Sequence, residues 1–321
     1  MPEIMIEISD LTRYYGPTKA LDTIGFQVQR GEVMGFLGPN GAGKTTAMRI
    51  LAGLLSPSEG SVHIAGLDMI ANPVEARAKI GFLPESPPIY GDMTVQEYLS
   101  YLAALRRVPS NQLYDAVGQT MERCGLSHVA NRLLRNLSKG YQQRAGIAQA
   151  IVHSPEVVIL DEPTVGLDPI QIREIRQLIR DLGGEHSVLL STHILPEVRM
   201  TCNRVAVINQ GRIVADDTLE GLEQKTANKI SFFVRMNRAP EAAILQQIPG
   251  VAQVRPHEGG WMITPLTNQD PVPELLQRAI AQGWDLRELV PSSNSLEEIF
   301  LNLTTREDET VPLPHSSEVS A

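Results

Sequence analysis

Eight consecutive residues, Gly38-Pro39-Asn40-Gly41-Ala42-Gly43-Lys44-Thr45, have the make-up of a loop that wraps phosphate. Glycines let the backbone bend closely round an anion, so that the N–H groups of the loop and of the following helix start point inward. The lysine can then reach the terminal phosphates, and the threonine hydroxyl suits Mg²⁺. Thr46 joins the same phosphate-binding set. Further along, the apolar run Val157-Val158-Ile159-Leu160 ends in two carboxylates, Asp161 and Glu162. Asp161 is suited to help hold Mg²⁺ through water, and Glu162 to polarise an attacking water. Together these residues point to binding of a nucleoside triphosphate and chemistry at its terminal phosphate, and by themselves define only a P-loop NTPase.

Such groups act only if rigid elements hold them. Residues 33–37 (VMGFL) read as a buried strand running directly into the glycine-rich loop, and Thr45 to Leu54 as the helix after it. The acidic pair sits at the end of the strand Val157 to Leu160, where α/β folds bind ligands. Residues 3–8, 24–29, 61–65, 80–83, 188–190 and 205–208 read as further strands. Between the two α/β stretches, residues 94–137 read as mostly helical. Thr94 and Glu97 form a capping box ahead of Val95, Tyr98, Leu99, Leu102 and Leu105, and a second helix over 110–124 stops at Gly125. Asp168-Pro169 opens another helix, closed by Gly183-Gly184.

After residue 226 the pattern changes. Strand 229–235, helix 240–247, strands 251–255 and 261–264, helix 273–282 and strand 285–290 come in the order βαββαβ, which fits a small ferredoxin-like α+β domain. Ser295 to Leu303 reads as a closing helix. The expected organisation is therefore a nucleotide-binding unit over 1–226 with a helical subdomain at about 86–150, an accessory α+β domain over 227–304, and a disordered tail over 305–321, acidic and without periodicity.

Composition narrows the functional classes. The 321 residues are 42% hydrophobic and 20% charged, as in an ordinary globular chain. A net charge of −9 argues against nucleic acid as a partner, because phosphate contacts need a basic surplus. No run reaches the ~18 apolar residues of a membrane span. The start of the chain carries Glu3 and Glu7 and no basic stretch, so it does not read as a signal peptide, and a cytosolic protein is expected. Cys124 and Cys202 read as small core residues, and none of the seven histidines joins a cluster with metal-ligand spacing.

The remaining motifs carry a family resemblance. Leu137-Ser138-Lys139-Gly140-Tyr141-Gln142-Gln143-Arg144 resembles the signature of ABC ATPases. Pro163 to Asp168 resembles their D-loop, and Ser191-Thr192-His193 their switch histidine. Tyr15 stands where the family stacks an aromatic on adenine, and Gly81 to Glu85 where it has its Q-loop. The match covers about residues 3–220. It implies a P-loop cassette with a RecA-like core, an antiparallel β subdomain and a helical subdomain. A closer likeness is to type 2 exporter ATPases of the gliding-motility-like branch, through the wording of the signature, the run Ser191 to Val198 and the stretch Ser295 to Phe300.

The resemblance implies a set of roles. ATP would lie on the loop Gly38 to Thr46, with Tyr15 on its base and Ser138 and Gly140 of a second cassette over its γ-phosphate. Mg²⁺ would be met by Thr45, Asp161 and Glu85, and Glu162 and His193 would be catalytic. Glu85 replaces the family's glutamine and adds negative charge; Lys139 and Tyr141 replace a glycine and a glutamine. The implied protein is an ATP-hydrolysing subunit that pairs with a second cassette, most simply its own copy. It would drive export through a separate permease, on the cytoplasmic side of a membrane. The alternative is a soluble ABC ATPase with a non-transport partner. A P-loop kinase would not need the signature, a GTPase would show NKxD, and a regulatory cassette would not keep Lys44, Asp161, Glu162 and His193 together.

Overall fold

The computed structural model describes residues 3–222, 231–266 and 269–292. The chain separates into two compact units, Met1–Thr218 and Leu219–Ala321. The residue at which the sequence pattern changes, 226, lies outside the described residues, as do the helix expected over 295–303 and the tail.

The first unit holds two sheets. The strands are β1 (Ile4–Tyr15), β2 (Thr18–Gln29), β3 (Val33–Leu37), β4 (Glu59–Ile64), β5 (Leu67–Asp68), β6 (Ile80–Leu83), β7 (Val157–Asp161), β8 (Ser187–Thr192), β9 (Arg204–Asn209) and β10 (Arg212–Thr218). An antiparallel sheet runs β2-β1-β4-β5, and a six-stranded sheet runs β10-β9-β3-β8-β7-β6. In the latter β9, β3, β8, β7 and β6 are parallel, and β10 is added antiparallel at the edge. Every residue of β3, β7 and β8 is buried, as expected of parallel strands covered on both faces. The two sheets share one core, with the Phe26 and Phe36 ring centroids 5.3 Å apart.

Strands β1 and β2 run much longer than their alternation suggests. Asp10 and Thr23 both have φ of 53°, and the β1–β2 register shifts between Ile8 and Leu11 and again between Leu11 and Tyr14. Each such bulge inserts a residue and inverts the in/out phase of the rest of the strand. A strict period of two therefore ends at each bulge while the strand continues.

The helices are α1 (Lys44–Leu51), α2 (Pro73–Ala78), α3 (Val95–Leu105), α4 (Leu113–Arg123), α5 (Lys139–Ile151), α6 (Pro169–Leu182) and α7 (Leu195–Thr201). The capping box of α3 is present, with both Thr94 and Glu97 bonded to each other's backbone N–H. Helices α3, α4 and α5 pack on one another, Tyr98, Leu99, Val117 and Ala148 among their buried residues, and the Tyr98 hydroxyl donates to the Pro88 carbonyl at 3.1 Å. Among the described residues no helix is long and apolar enough to cross a membrane.

The second unit contains β11 (Ser231–Met236), α8 (Ala242–Gln246), β12 (Val251–His257), β13 (Gly260–Pro265), α9 (Val272–Ala281) and β14 (Leu286–Ser292). Its sheet order is β12-β13-β11-β14, all pairs antiparallel. That is the arrangement of a ferredoxin-like βαββαβ unit. Its core is Val234, Leu245, Ile248, Ile263, Leu275 and Trp284.

Candidate functional site

The site is made by strand ends. In the parallel sheet Leu37 pairs with Thr192, Asp161 with Ser191 and Leu83 with Leu160. The residues after β3, β8, β7 and β6 therefore leave the sheet at one level. They are the glycine-rich loop, His193, Glu162 and Glu85.

The loop turns tightly where side chains are not tolerated. Gly41 and Gly43 have φ of 82° and 107°, and a Cβ on Gly43 would lie 2.7 Å from the Ala20 carbonyl oxygen. Only glycine takes both that angle and that approach without strain. Lys44 then starts α1 and is 6% exposed. Its ammonium donates to the carbonyls of Gly38 at 2.8 Å and Pro39 at 3.1 Å, and lies 3.5 Å from Glu162 Oε1.

Glu162 is the buried centre of the constellation. His193 Nδ1 lies 2.9 and 3.0 Å from its two carboxylate oxygens. Its N–H is held by the Ser191 carbonyl at 3.0 Å, and its φ is 50°. A non-glycine residue in that region costs of order 1–3 kcal/mol and persists only where the surroundings impose it. Asp161 is 1% exposed, and burial pushes its carboxyl above the ordinary carboxylate range; Ser191 and Thr45 oppose the rise, and the charges of Glu162 and Glu85 add to it. Among the described residues Asp161 Oδ1 has no hydrogen-bond partner. A buried oxygen of this kind, beside the Thr45 hydroxyl, is what a hard divalent cation with oxygen ligands would take.

Asn40, Gly41, Gly43, Lys44, Thr45, Thr46, Glu85, Glu162 and His193 line one cavity of about 360 Å³, together with Val165 of the D-loop-like run and Ala20, which the motifs do not mark. A second cavity of about 620 Å³ is shared by Thr45, Asp161 and Glu85 and extends to Arg49, Arg77 and Arg106. Glu85 is exposed and lines both.

Two parts of the expected site stand apart. Ser138 caps α5, its hydroxyl accepting from the Tyr141 N–H, and Gly140 is packed so closely that a Cβ would meet the Gln171 side chain at 2.5 Å. Both line a different cavity, with Asp168 and Gln171 of the α6 start. Tyr141 bonds His128 at 3.0 Å, and Lys139 lies over Gly166. Tyr15 ends β1, 45% exposed, with the Arg13 guanidinium 5.0 Å over its ring; it is not among the residues lining the phosphate cavity.

The chain is similar to known proteins along most of its length. A family profile described as "ABC transporter" matches residues 21–165. The bacitracin transport ATP-binding protein BcrA of Bacillus licheniformis is 33% identical over 302 residues, covering 93% of this chain and 97% of that protein. The uncharacterized ABC transporter ATP-binding protein YdbJ of Bacillus subtilis (strain 168) is 34% identical over 311 residues, 96% of this chain and 98% of its own length. Among solved structures, the dimeric post-hydrolysis state of the ATP-binding cassette MJ0796 bound to ADP and Pi superposes with a TM-score of 0.61 at 25% identity, covering 67% of this chain and 99% of that one.

Proposed function

This chain belongs to the family of ABC transporter ATP-binding proteins, and from that premise we propose how its residues perform ATP hydrolysis for a transporter. The observation that carries the reading is the convergence of Lys44, Glu162 and His193 within hydrogen-bond and ion-pair reach at the end of one parallel sheet.

ATP lies with its phosphates on the backbone of Gly38 to Thr46. Lys44, held at the loop by two carbonyls, turns its ammonium to the β- and γ-phosphates. Tyr15 stacks on the base. Glu162 takes the proton of the attacking water, and His193 fixes the orientation of that carboxylate. Thr45 and Asp161 would hold Mg²⁺, with Glu85 beside them in the same cavity, and the ion would supply positive charge to the transferring phosphoryl group.

Ser138 and Gly140 line a cavity other than the one lined by the phosphate loop of their own chain. We read them as the contact to ATP on a second cassette, supported by the dimeric cassette structures to which the chain is similar. Ser138 at the start of the 13-residue α5 presents a hydroxyl and a positive helix end to an anion. Hydrolysis removes the bridging phosphate and loosens the pair. Glu85, which lines both cavities, links this event to the helical insert and through it to a membrane permease. Export, the type 2 class and the gliding-motility-like branch are the finer reading, supported by the motif wording and by the likeness to a bacitracin transport protein. Residence at the cytoplasmic face of a membrane follows from that partner.

The test is steady-state ATPase activity of the purified protein against Lys44→Ala. Loss of the ammonium removes electrostatic stabilisation of the transferring phosphate and should reduce turnover by at least ~10²-fold. Turnover near that of the wild type in the variant would refute the assignment.

A further inference from the structure

Glu197 is a carboxylate that none of the phosphate-site motifs contains, and it is buried to 1% exposure. It lies in the first turn of α7 and receives one hydroxyl from the end of β8 and one from the turn after β7. Thr192 Oγ1 donates to Glu197 Oε2 at 2.8 Å, and Thr164 Oγ1 donates to Glu197 Oε1. Both threonines are buried. Arg176 Nη2, from α6, lies 3.6 Å from Glu197 Oε1 and supplies the opposite charge.

The two threonines flank the catalytic pair. Thr164 is two residues after Glu162, in the turn closed by the Val165 N–H on the Glu162 carbonyl at 3.3 Å. Thr192 immediately precedes His193, and its hydroxyl also accepts the Ile194 N–H at 3.0 Å, so it shapes the turn that carries the imidazole. Through these two hydroxyls both turns are tied to the same residue of α7. A carboxylate is an acceptor only, with two oxygens, and here each oxygen holds one loop.

We infer that Glu197 is a positioning residue for hydrolysis: its buried carboxylate joins the turn after Glu162 to the turn bearing His193 and keeps the two catalytic side chains in register. Glu162 has φ of 50°, a conformation that must be imposed from outside, and the anchor two residues downstream helps impose it. Charge-assisted bonds to a fully buried acceptor are stronger than neutral ones and keep their geometry in a dry site. The bond from Glu162 to His193 therefore depends on a residue that touches neither.

The inference rests on the ATPase reading, and the experiment separates the two. ATP turnover and melting temperature are measured for the wild type, Glu197→Gln, Thr164→Val, Thr164→Ser and the double variant Glu197→Gln/Thr164→Val. Glutamine removes the charge and one acceptor oxygen, so both bonds lose charge assistance and one threonine must turn its hydroxyl round to accept from the amide NH2; valine removes one hydroxyl at constant shape. Misplacing catalytic groups by up to ~1 Å costs between about 10- and 100-fold. Glu197→Gln and Thr164→Val should each lower kcat by about that range with KM for ATP within about twofold. Thr164→Ser, which restores the hydroxyl, should recover most of the rate, and the double variant should be no slower than the slower single one.

A wild-type protein without turnover would overturn the ATPase reading itself. With an active wild type, the inference alone is overturned by Glu197→Gln at the wild-type rate, by a rise in KM at constant kcat, by multiplying losses in the double variant, or by failure of Thr164→Ser to recover the rate. If Glu197→Gln does not fold, the Thr164 pair decides the matter.

Discussion

Replacing Glu162 by glutamine separates chemistry from binding. The amide keeps the volume of the side chain and can still bond His193, which lies 2.9 Å from the carboxylate. Lys44 loses a charge 3.5 Å away but keeps its bonds to the Gly38 and Pro39 carbonyls, so the loop stays formed. Burying a neutral amide in place of a carboxylate also relieves a desolvation cost, so stability should change little. In the proposed mechanism the substitution removes the general base. Such a base contributes ~10²–10⁴-fold, or ~3–5 kcal/mol of barrier at about 1.4 kcal/mol per decade. On the proposed pairing, in which the signature of one chain and the phosphate loop of the other take the same nucleotide, ATP should then bind, persist and hold two chains together. Phosphate release and light scattering would be measured together. Glu162→Gln should hydrolyse at under about a hundredth of the wild-type rate. It should be monomeric without nucleotide and dimeric in Mg-ATP, and adding Ser138→Arg should abolish the dimer. Turnover above a tenth of wild type would refute the role of Glu162. A monomer with nucleotide demonstrably bound would refute the pairing of identical chains.

The same geometry sets three further expectations. Glu85→Gln removes a negative charge that faces both the phosphate cavity and Asp161; ATP affinity, measured by titration calorimetry, should stay the same or rise, by no more than a few-fold. His153 is held neutral, its pKa pushed down to about 4 by burial and by the Arg106 charge, although the Ile80 carbonyl opposes this. Because the folded value lies below the ordinary 6.5, its contribution is present above pH 6.5 and is lost as pH falls toward 4. Urea unfolding should show about 3 kcal/mol less stability over that window, and His153→Gln should remove most of that loss. A chain ending at Leu222 keeps every phosphate-loop, acidic-strand and signature residue and should bind ATP within about threefold of the full chain by calorimetry.

Much of the site is legible in the sequence because it is local. The phosphate loop needs eight adjacent residues, and its geometry is written in the glycines at 41 and 43. Caps are local too. The Thr94–Glu97 box and Asp168, which accepts from the Ile170 and Gln171 N–H groups at 3.0 and 2.9 Å, mark the starts of α3 and α6 from four residues each. Short elements escape this reading. Helix α7 spans seven residues, about two turns, so no apolar period can establish itself, and β10 is an edge strand whose Asp216 and Asp217 interrupt the alternation. Glu197 escapes for a different reason: its partners are Thr164 and Thr192, and one of them lies 33 residues away.

The residue types of the site, the order of its motifs and the chemistry they can perform are set by the sequence itself, through bonds and turns a few residues long. Which strands stand side by side is not. Strands β3, β7 and β8 are continuous buried runs, and such runs carry no alternation to name a neighbour or a register. Only the folded order β3-β8-β7-β6 puts Leu37 level with Thr192 and Asp161 level with Ser191, and thereby brings Lys44, Glu162 and His193 to one point. The same packing turns Glu197 inward onto Thr192 at the end of β8 and Thr164 after β7, and the meeting with Thr164, 33 residues away, depends on long-range burial that no local spacing encodes.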